Sequence, residues 1–340
     1  VISEPPLHVW MPNIRGNSGS DVFVERLAEG LRRRGVAVTV DWFGRAYEGF
    51  PGLLSRVKVP PGVNLIHANG LNGFPFRHHG LPLVVTEHHY VLDPAYRPYK
   101  SIVQHAYHLW ITGRASLRSM RVADALATPS TFVAKSVSSA CPRAKPTTIP
   151  LWVDLEEFTP VPMLRPHGSP LRMFFVGNAS RRKGFDVVVE MARRMGESVE
   201  IVCTGGLRGE TAVALPPNLR HTGRLSREGL VDAYRRSDVV LVPSRYEGFG
   251  YAALEGMACG KPVLGFACGS IEEIVEDGIS GFLADVDDID GLHRRAIELA
   301  KDDLLRHQMG VAGRMRAEKV FPVERGIDAY LALYASVMSP

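Results

Sequence analysis

The sequence predicts an α/β protein made of two doubly wound domains, and three observations carry that expectation. Its 340 residues exceed one ordinary compact core and suit two of roughly 150 each. Short apolar runs alternate with stretches of helical spacing in both halves, the punctuation of parallel sheets covered on both faces. Between the halves, Pro150, Pro160, Pro162, Pro166 and Pro170 interrupt the pattern, and proline both disfavours helix and removes strand donors. The interdomain linker is placed there.

In the first half, Leu7 to Met11 reads as a strand, Val22 to Arg34 as a helix and Val36 to Phe43 as the next strand. Further strands are expected at Val63 to His67, Leu83 to Thr86, Ala125 to Thr128 and Thr147 to Ile149. In the second half they fall at Arg172 to Val176, Val199 to Cys203, Val239 to Val242 and Val263 to Phe266, with helices near 184 to 195, 227 to 236, 250 to 258 and 289 to 307. Ligands of open parallel sheets bind beyond the carboxyl ends of the strands, so the sites are expected in a cleft onto which both domains face.

Composition narrows the class. Hydrophobic residues make up 45% and charged residues 22%, which excludes a largely disordered chain. No apolar run reaches the ~18 to 20 residues of a membrane span, and Val1 to Trp10 lacks the basic-then-apolar order of a signal peptide. A cytoplasmic protein is expected, with the inner face of the membrane as one place for it to work. Cys141, Cys203, Cys259 and Cys268 lie far apart, which favours neither a disulfide framework nor a zinc site. The net charge of +4 conceals an asymmetry: residues 1 to 154 hold 17 Lys and Arg against 10 Asp and Glu, the remainder 23 against 26. A basic first half suggests an anionic partner, such as a lipid-linked phosphate or a membrane surface, although a merely solvated basic face fits equally well.

The strongest local signal runs from Ser237 to Glu255. An apolar strand ends at Pro243, the loop Ser244-Arg245-Tyr246-Glu247-Gly248-Phe249-Gly250 follows, and a helix carrying Glu255 begins. Gly248 and Gly250 permit close backbone approach, and a helix start offers amides and partial positive charge to a phosphate. Glu247 and Glu255 are suited to accept hydrogen bonds from sugar hydroxyls. Taken as an isolated pair, two solvated glutamates explain the spacing as well.

The surrounding residues decide between these readings. Tyr246 to Gly250, then Leu254-Glu255-Gly256-Met257-Ala258-Cys259-Gly260-Lys261-Pro262-Val263, resembles the E-x7-E region of the retaining, GT-B-fold glycosyltransferase family that includes many mannosyl-, glucosyl- and N-acetylglucosaminyltransferases. Ile274 to Leu283 is similar to the stretch that follows there. The resemblance implies two Rossmann-like domains, 1–154 for the acceptor and 155–324 for the donor nucleotide, with 325–340 as a helix crossing back to the first. It implies that Glu247 contacts the donor sugar, that Glu255 takes the ribose hydroxyls, and that amides of Gly248, Phe249, Gly250 and Tyr251 lie near sugar and diphosphate.

Other loops fit the same likeness less closely. Gly177 to Gly184 resembles G-R-x-x-x-x-K-G, with Lys183 at the lysine and Asn178 where arginine is usual; Arg182 is the candidate to replace that guanidinium at the diphosphate. Gly19 matches the second glycine of the family's G-G loop, with Ser18 at the first. Val84 to His89 resembles V-x-T-x-H-D, which places His88 near the reacting sugar while His89 stands at the aspartate. His67 is expected to be structural. Asp285-Val286-Asp287-Asp288 contains D-x-D, but a helix follows, so capping is the expected role and no metal is called for. Ala95 to Ala123 holds no acid and five cations, Arg97, Lys100, Arg114, Arg118 and Arg121, among Tyr96, Tyr99, Tyr107 and Trp110; such an element suits anionic headgroups, or else packs one face and solvates the other. Nucleic acid is a poorer partner, since no binding motif accompanies the charge.

The expected activity is transfer of a hexosyl unit from a nucleoside diphosphate sugar to a hydroxyl acceptor, lipid-linked or glycan, with His88, Lys183 and Glu247 as catalytic residues and no further cofactor. Retention is implied by the resemblance alone. A sugar-nucleotide epimerase of the same architecture and a non-enzymatic sugar-binding protein are the alternatives. The base, the sugar and the acceptor are not legible.

Overall fold

The computed structural model describes residues 6–16, 18–162, 168–205 and 214–338. It divides into two compact units, Val1–Leu151 with Val323–Pro340, and Trp152–Pro322.

The first unit contains β1 (His8–Ile14), α1 (Gly19–Arg33), β2 (Ala37–Phe43), β3 (Leu65–Asn69), β4 (Leu83–Thr86), α2 (Ile102–Tyr107), α3 (Gly113–Val122), β5 (Ala125–Thr128), α4 (Thr131–Ala140) and β6 (Thr147–Thr148). Its strands pair in the order β2-β1-β3-β4-β5-β6, all parallel. Strands such as Leu83-Val84-Val85-Thr86 are apolar at successive positions because both faces of the sheet are covered. Trp10, Phe76, Val85, Met120 and Val133 fill one face. Helix α1 turns Val24, Leu27, Ala28 and Leu31 inward, the i, i+3, i+4, i+7 spacing of a single buried stripe.

The second unit contains β7 (Leu171–Val176), α5 (Phe185–Met195), β8 (Val199–Thr204), β9 (Leu219–His221), α6 (Arg227–Arg236), β10 (Val239–Val242), α7 (Tyr251–Ala258), β11 (Val263–Phe266), α8 (Ile271–Ile274), β12 (Gly281–Ala284), α9 (Ile289–Lys301) and α10 (Asp303–Val320). The sheet order is β12-β11-β10-β7-β8-β9, again parallel. The last helix, α11 (Val323–Met338), belongs to the first unit. It packs on α1 at Gly30, where a Cβ would sit 2.3 Å from Ile327 Cδ1, so glycine sets how closely the two helices approach.

Several expected boundaries move. β1 runs to Ile14 rather than Met11, and the short edge strands β9 and β12 were not anticipated. The single helix expected at 289 to 307 is two: Asp302 is extended (φ −121°, ψ 96°) and its carboxylate accepts from Leu305 N at 2.8 Å, capping α10. The segment after Leu151 already belongs to the second unit. Val153 N donates to Phe321 O, and the Arg314 guanidinium donates to Leu155 O and Phe158 O. Part of the proline-rich stretch, residues 163–167 with Pro166, lies outside the described residues.

Candidate active site

In the second unit β7 pairs with β8 on one side and β10 on the other. The loops leaving β7 and β10 therefore start from adjacent strands and diverge to opposite sides, which is the switch point at which open α/β sheets bind ligands. The β7 loop turns at Ser180, whose Oγ accepts from Lys183 N at 3.3 Å, into a single 3-10 turn, Arg181–Lys183. Gly184 follows at φ +73°; a Cβ there would meet Pro243 O at 1.9 Å. Glycine is thus required both by the left-handed backbone and by the contact that seats this turn against the end of β10. Arg245 N donates to Arg182 O at 2.8 Å across the same seam.

That seam brings two of the predicted catalytic residues together. Lys183 Nζ lies 2.5 Å from Glu247 Oε2, with the side chains 20% and 12% exposed, and Ser244 Oγ donates to the same oxygen at 3.3 Å. Arg182 stands beside them and donates from Nη1 to Tyr246 O at 3.1 Å. The glycine loop is fixed from behind by Ser270, whose Oγ donates to Phe249 O at 2.7 Å and whose amide donates to Glu247 O. Gly250, at φ +100°, opens α7; a Cβ there would lie 2.6 Å from Ile271 Cδ1. Helix α7 starts at Tyr251 directly after the loop that carries Glu247, with Ala253 N and Leu254 N donating back to Gly250 O, so its positive dipole end lies on that loop. Gly248 is buried in this loop, and the Phe249 ring is turned inward, edge-on to Tyr251 and Phe321, which leaves its backbone as the part suited to a donor. Glu255 does not join the Lys183 and Glu247 pair. It is 5% exposed in the second turn of α7, and its Oε2 accepts from Tyr234 OH at 3.0 Å.

Sequence reasoning missed the clamp that fixes the loop's root. The Arg245 side chain, 4% exposed, donates to both carboxylate oxygens of Asp186 at 2.7 and 2.8 Å, to Asp287 Oδ1 at 2.6 Å and to Arg181 O at 2.6 Å. Burial opposes the guanidinium charge, but the bonds to Asp186 and Asp287 more than offset it and its pKa rises. Asp287 adopts φ +71° to reach it, while Asp288 Oδ1 caps α9 through Gly291 N at 2.8 Å, the capping role expected for this D-x-D. Cys268 borders the pair, and burial followed by the Glu247 charge pushes its thiol well up. All four cysteines are free and buried.

In the first unit His88 lies just beyond β4. Its Nε2 pairs with Asn69 Oδ1, at the end of neighbouring β3, at 3.2 Å, and its ring meets Phe23 edge-on at 4.7 Å. Desolvation lowers its pKa to about 4. His88 is therefore neutral near pH 7, with Nε2–H donating to Asn69 and Nδ1 left as an acceptor. Gly19 is the first residue of α1; the N-cap, Ser18, is extended and makes no side-chain cap. Asn17 lies outside the described residues. His67 is structural, as expected: Nδ1 bonds Tyr334 OH at 2.7 Å and Nε2 bonds Thr86 Oγ1 at 2.8 Å, and burial, then His88, lowers its pKa to about 3. Next to His88, Glu87 is 6% exposed with Oε2 unpartnered, and burial raises its pKa to about 8 against the hydrogen bonds of Ser116 and His89 N. One of the five expected surface cations is not at the surface. Lys100 is 8% exposed, donates to Val91 O and lies 4.2 Å from the Tyr96 ring centre.

Two parallel-sheet, Rossmann-like units define the GT-B class, and the comparisons with known proteins agree. The structure aligns with sucrose-phosphate synthase from Thermosynechococcus elongatus at TM-score 0.80 and 19% identity, covering 97% of this chain and 99% of that one. It aligns with HepE of Anabaena, in complex with UDP and glucose, at TM-score 0.75 and 18% identity, covering 97% and 100%. More particularly, residues 164–316 match the family Glycosyl transferases group 1. A D-inositol 3-phosphate glycosyltransferase from Xylanimonas cellulosilytica is 35% identical over 211 residues, 55% of this chain and 50% of that protein. The chain spans about half the length of the curated relatives it matches.

Proposed function

We propose that the protein is a retaining glycosyltransferase that moves a hexosyl unit from a nucleoside diphosphate sugar to a hydroxyl acceptor carried on a lipid or a glycan. The observation that carries this reading is the Lys183–Glu247 pair at the switch point of the second sheet, with Arg182 beside it and the start of α7 on the same loop. A cation, a carboxylate and helix-start amides are what a sugar diphosphate needs: positive charge for the phosphates and an acceptor for a sugar hydroxyl.

In this reading the ion pair is a resting arrangement. Each partner neutralises the other until a donor arrives; the ammonium then turns to the diphosphate, where charge grows as the glycosidic bond breaks, and Glu247 takes a sugar hydroxyl. Arg182, tied to Tyr246 O, supplies the second cation in place of the arginine missing at Asn178. Glu255 receives the ribose by rotation away from Tyr234. In the first unit His88, neutral with Nδ1 as acceptor, is suited to take a hydrogen bond from a sugar hydroxyl, and Gly19, at the start of α1, is the donor-binding residue assigned there. HepE, crystallised with UDP and with UDP-glucose, makes a uridine diphosphate sugar the first donor to test.

A thermal-shift and calorimetric screen of UDP, GDP, ADP and dTDP sugars tests donor binding, and NMR of the product's anomeric proton tests retention. Donor binding by none of the four ends the reading. Epimerised sugar nucleotide formed from donor alone replaces it with the epimerase.

A further inference from the structure

Residues 102–122 of the first unit form one helical run: α2, a single π turn at His108–Thr112, and α3. Its buried side faces the core through His108, Thr112, Ala115, Ser116, Ser119 and Met120. The opposite side breaks the usual pattern of a surface helix. Ile102 is 83% exposed, Val103 80%, Trp110 60% and Leu109 43%. Ile102 with Leu109 and Val103 with Trp110 are each seven residues apart, so the four share one face. Arg114 and Arg118 continue the stripe at four-residue intervals, and the Arg114 guanidinium lies 4.3 Å from the Trp110 ring centre. No acid occurs between Asp93 and Asp124.

We infer that this face is a docking surface for an anionic phospholipid bilayer, lying in the interfacial plane with Ile102, Val103, Leu109 and Trp110 in the acyl boundary and Arg114 and Arg118 among the headgroups. Exposed aliphatic groups gain nothing from a phosphodiester backbone, and the combination of Ile102, Val103, Leu109 and Trp110 with a one-signed row of guanidinium groups matches a charged interface over hydrocarbon. A second copy of the chain is disfavoured by charge, because pairing this face with itself would oppose cations with cations. Among the described residues no helix is long and apolar enough to cross a membrane, so the contact is peripheral. It does not depend on the transfer reaction.

The test is sedimentation of the intact protein with vesicles of phosphatidylcholine alone and with ~30% phosphatidylglycerol. Binding is expected only to the anionic vesicles, and screening should weaken it about 10-fold when salt rises from ~0.1 to ~0.5 M. Brominated lipid should quench fluorescence that is lost in Trp110→Phe. Ile102→Ser with Val103→Ser, both on the exposed face, should abolish binding while the melting temperature and nucleotide affinity stay unchanged. Equal binding to neutral vesicles, binding by the double variant, or concentration-dependent dimerisation without vesicle binding would overturn the assignment.

Discussion

At the level of single residues, the ion pair makes a prediction that separates its two halves. Glu247→Gln removes the carboxylate but keeps the shape, so the Lys183 ammonium is released to any diphosphate that enters. Nucleoside diphosphate affinity should stay constant or rise in this variant, while turnover falls about 100-fold or more as the sugar loses its acceptor. Lys183→Ala should do the reverse to affinity, weakening the diphosphate about 10- to 100-fold, the worth of one charge-assisted hydrogen bond. Calorimetry with nucleotide and a turnover assay on both variants check the split; equal loss of affinity in both would remove Glu247 from the sugar. Gly184 makes a structural counterpart. Alanine there meets Pro243 O at 1.9 Å and must hold φ +73°, so Gly184→Ala should cost ~1–3 kcal/mol in chemical denaturation and lose turnover with it. The lysine and the glutamate were legible because each sits in a contiguous motif. Their contact across 64 residues was not, and it follows only from the adjacency of β7 and β10.

At the scale of elements, Arg245 ties together three segments: the root of the glycine loop, the first turn of α5 through Asp186, and the loop before α9 through Asp287. Arg245→Lys retains the charge but cannot bridge both carboxylates, because an ammonium lacks the planar fork. The variant should lose ~1–2 kcal/mol of stability, moderated because Asp186 and Asp287 are about half exposed and can rehydrate, and its kcat should drop with nucleotide affinity nearly kept. An unchanged kcat would make the clamp a stabilising feature only. The strand positions were readable from apolar runs, since parallel strands buried on both faces leave that mark. Edge strand β9, with one buried residue in three, left none. Arg245 itself was in plain sight within the motif, yet its partners lie 59 residues before it and 42 after, beyond anything local spacing encodes. Glu255 differs again: the motif implies a ligand role for it, and its Tyr234 partner, 21 residues before it, left no mark in the local spacing.

For the whole molecule, the buried titratable groups of the first unit set a pH profile of stability. His67, His88 and His108 have native pKa values lowered by burial to about 3, 4 and 4. The unfolded chain takes up their protons first, so stability is full above pH ~6.5 and is lost as pH falls toward the native values. Glu87 works in the other direction. Its pKa is raised by burial to about 8, so it is a neutral acid in the native state while the unfolded chain ionises above pH ~4.5, and stability is lost as pH rises from there to 8. Between pH ~4.5 and 6.5 three histidines outweigh one glutamate, and above 6.5 Glu87 lowers stability at up to ~1.4 kcal/mol per pH unit until Lys100, whose pKa burial lowers to about 8, begins to lose its proton in the native state and opposes it. Maximum stability is therefore expected near pH ~6.5, with the fall just above it due to Glu87. Glu87→Gln tests this without changing shape. The amide keeps an oxygen for Ser116 and His89 N, carries no charge to expel, and should flatten the fall in melting temperature between pH ~6.5 and ~8 while leaving the acid side intact. Because Glu87 adjoins His88, the same variant also reports on the site: an undiminished alkaline fall in Glu87→Gln would show that another group causes it, and an altered His88 NMR titration with restored stability would show that the two neighbours share one electrostatic environment.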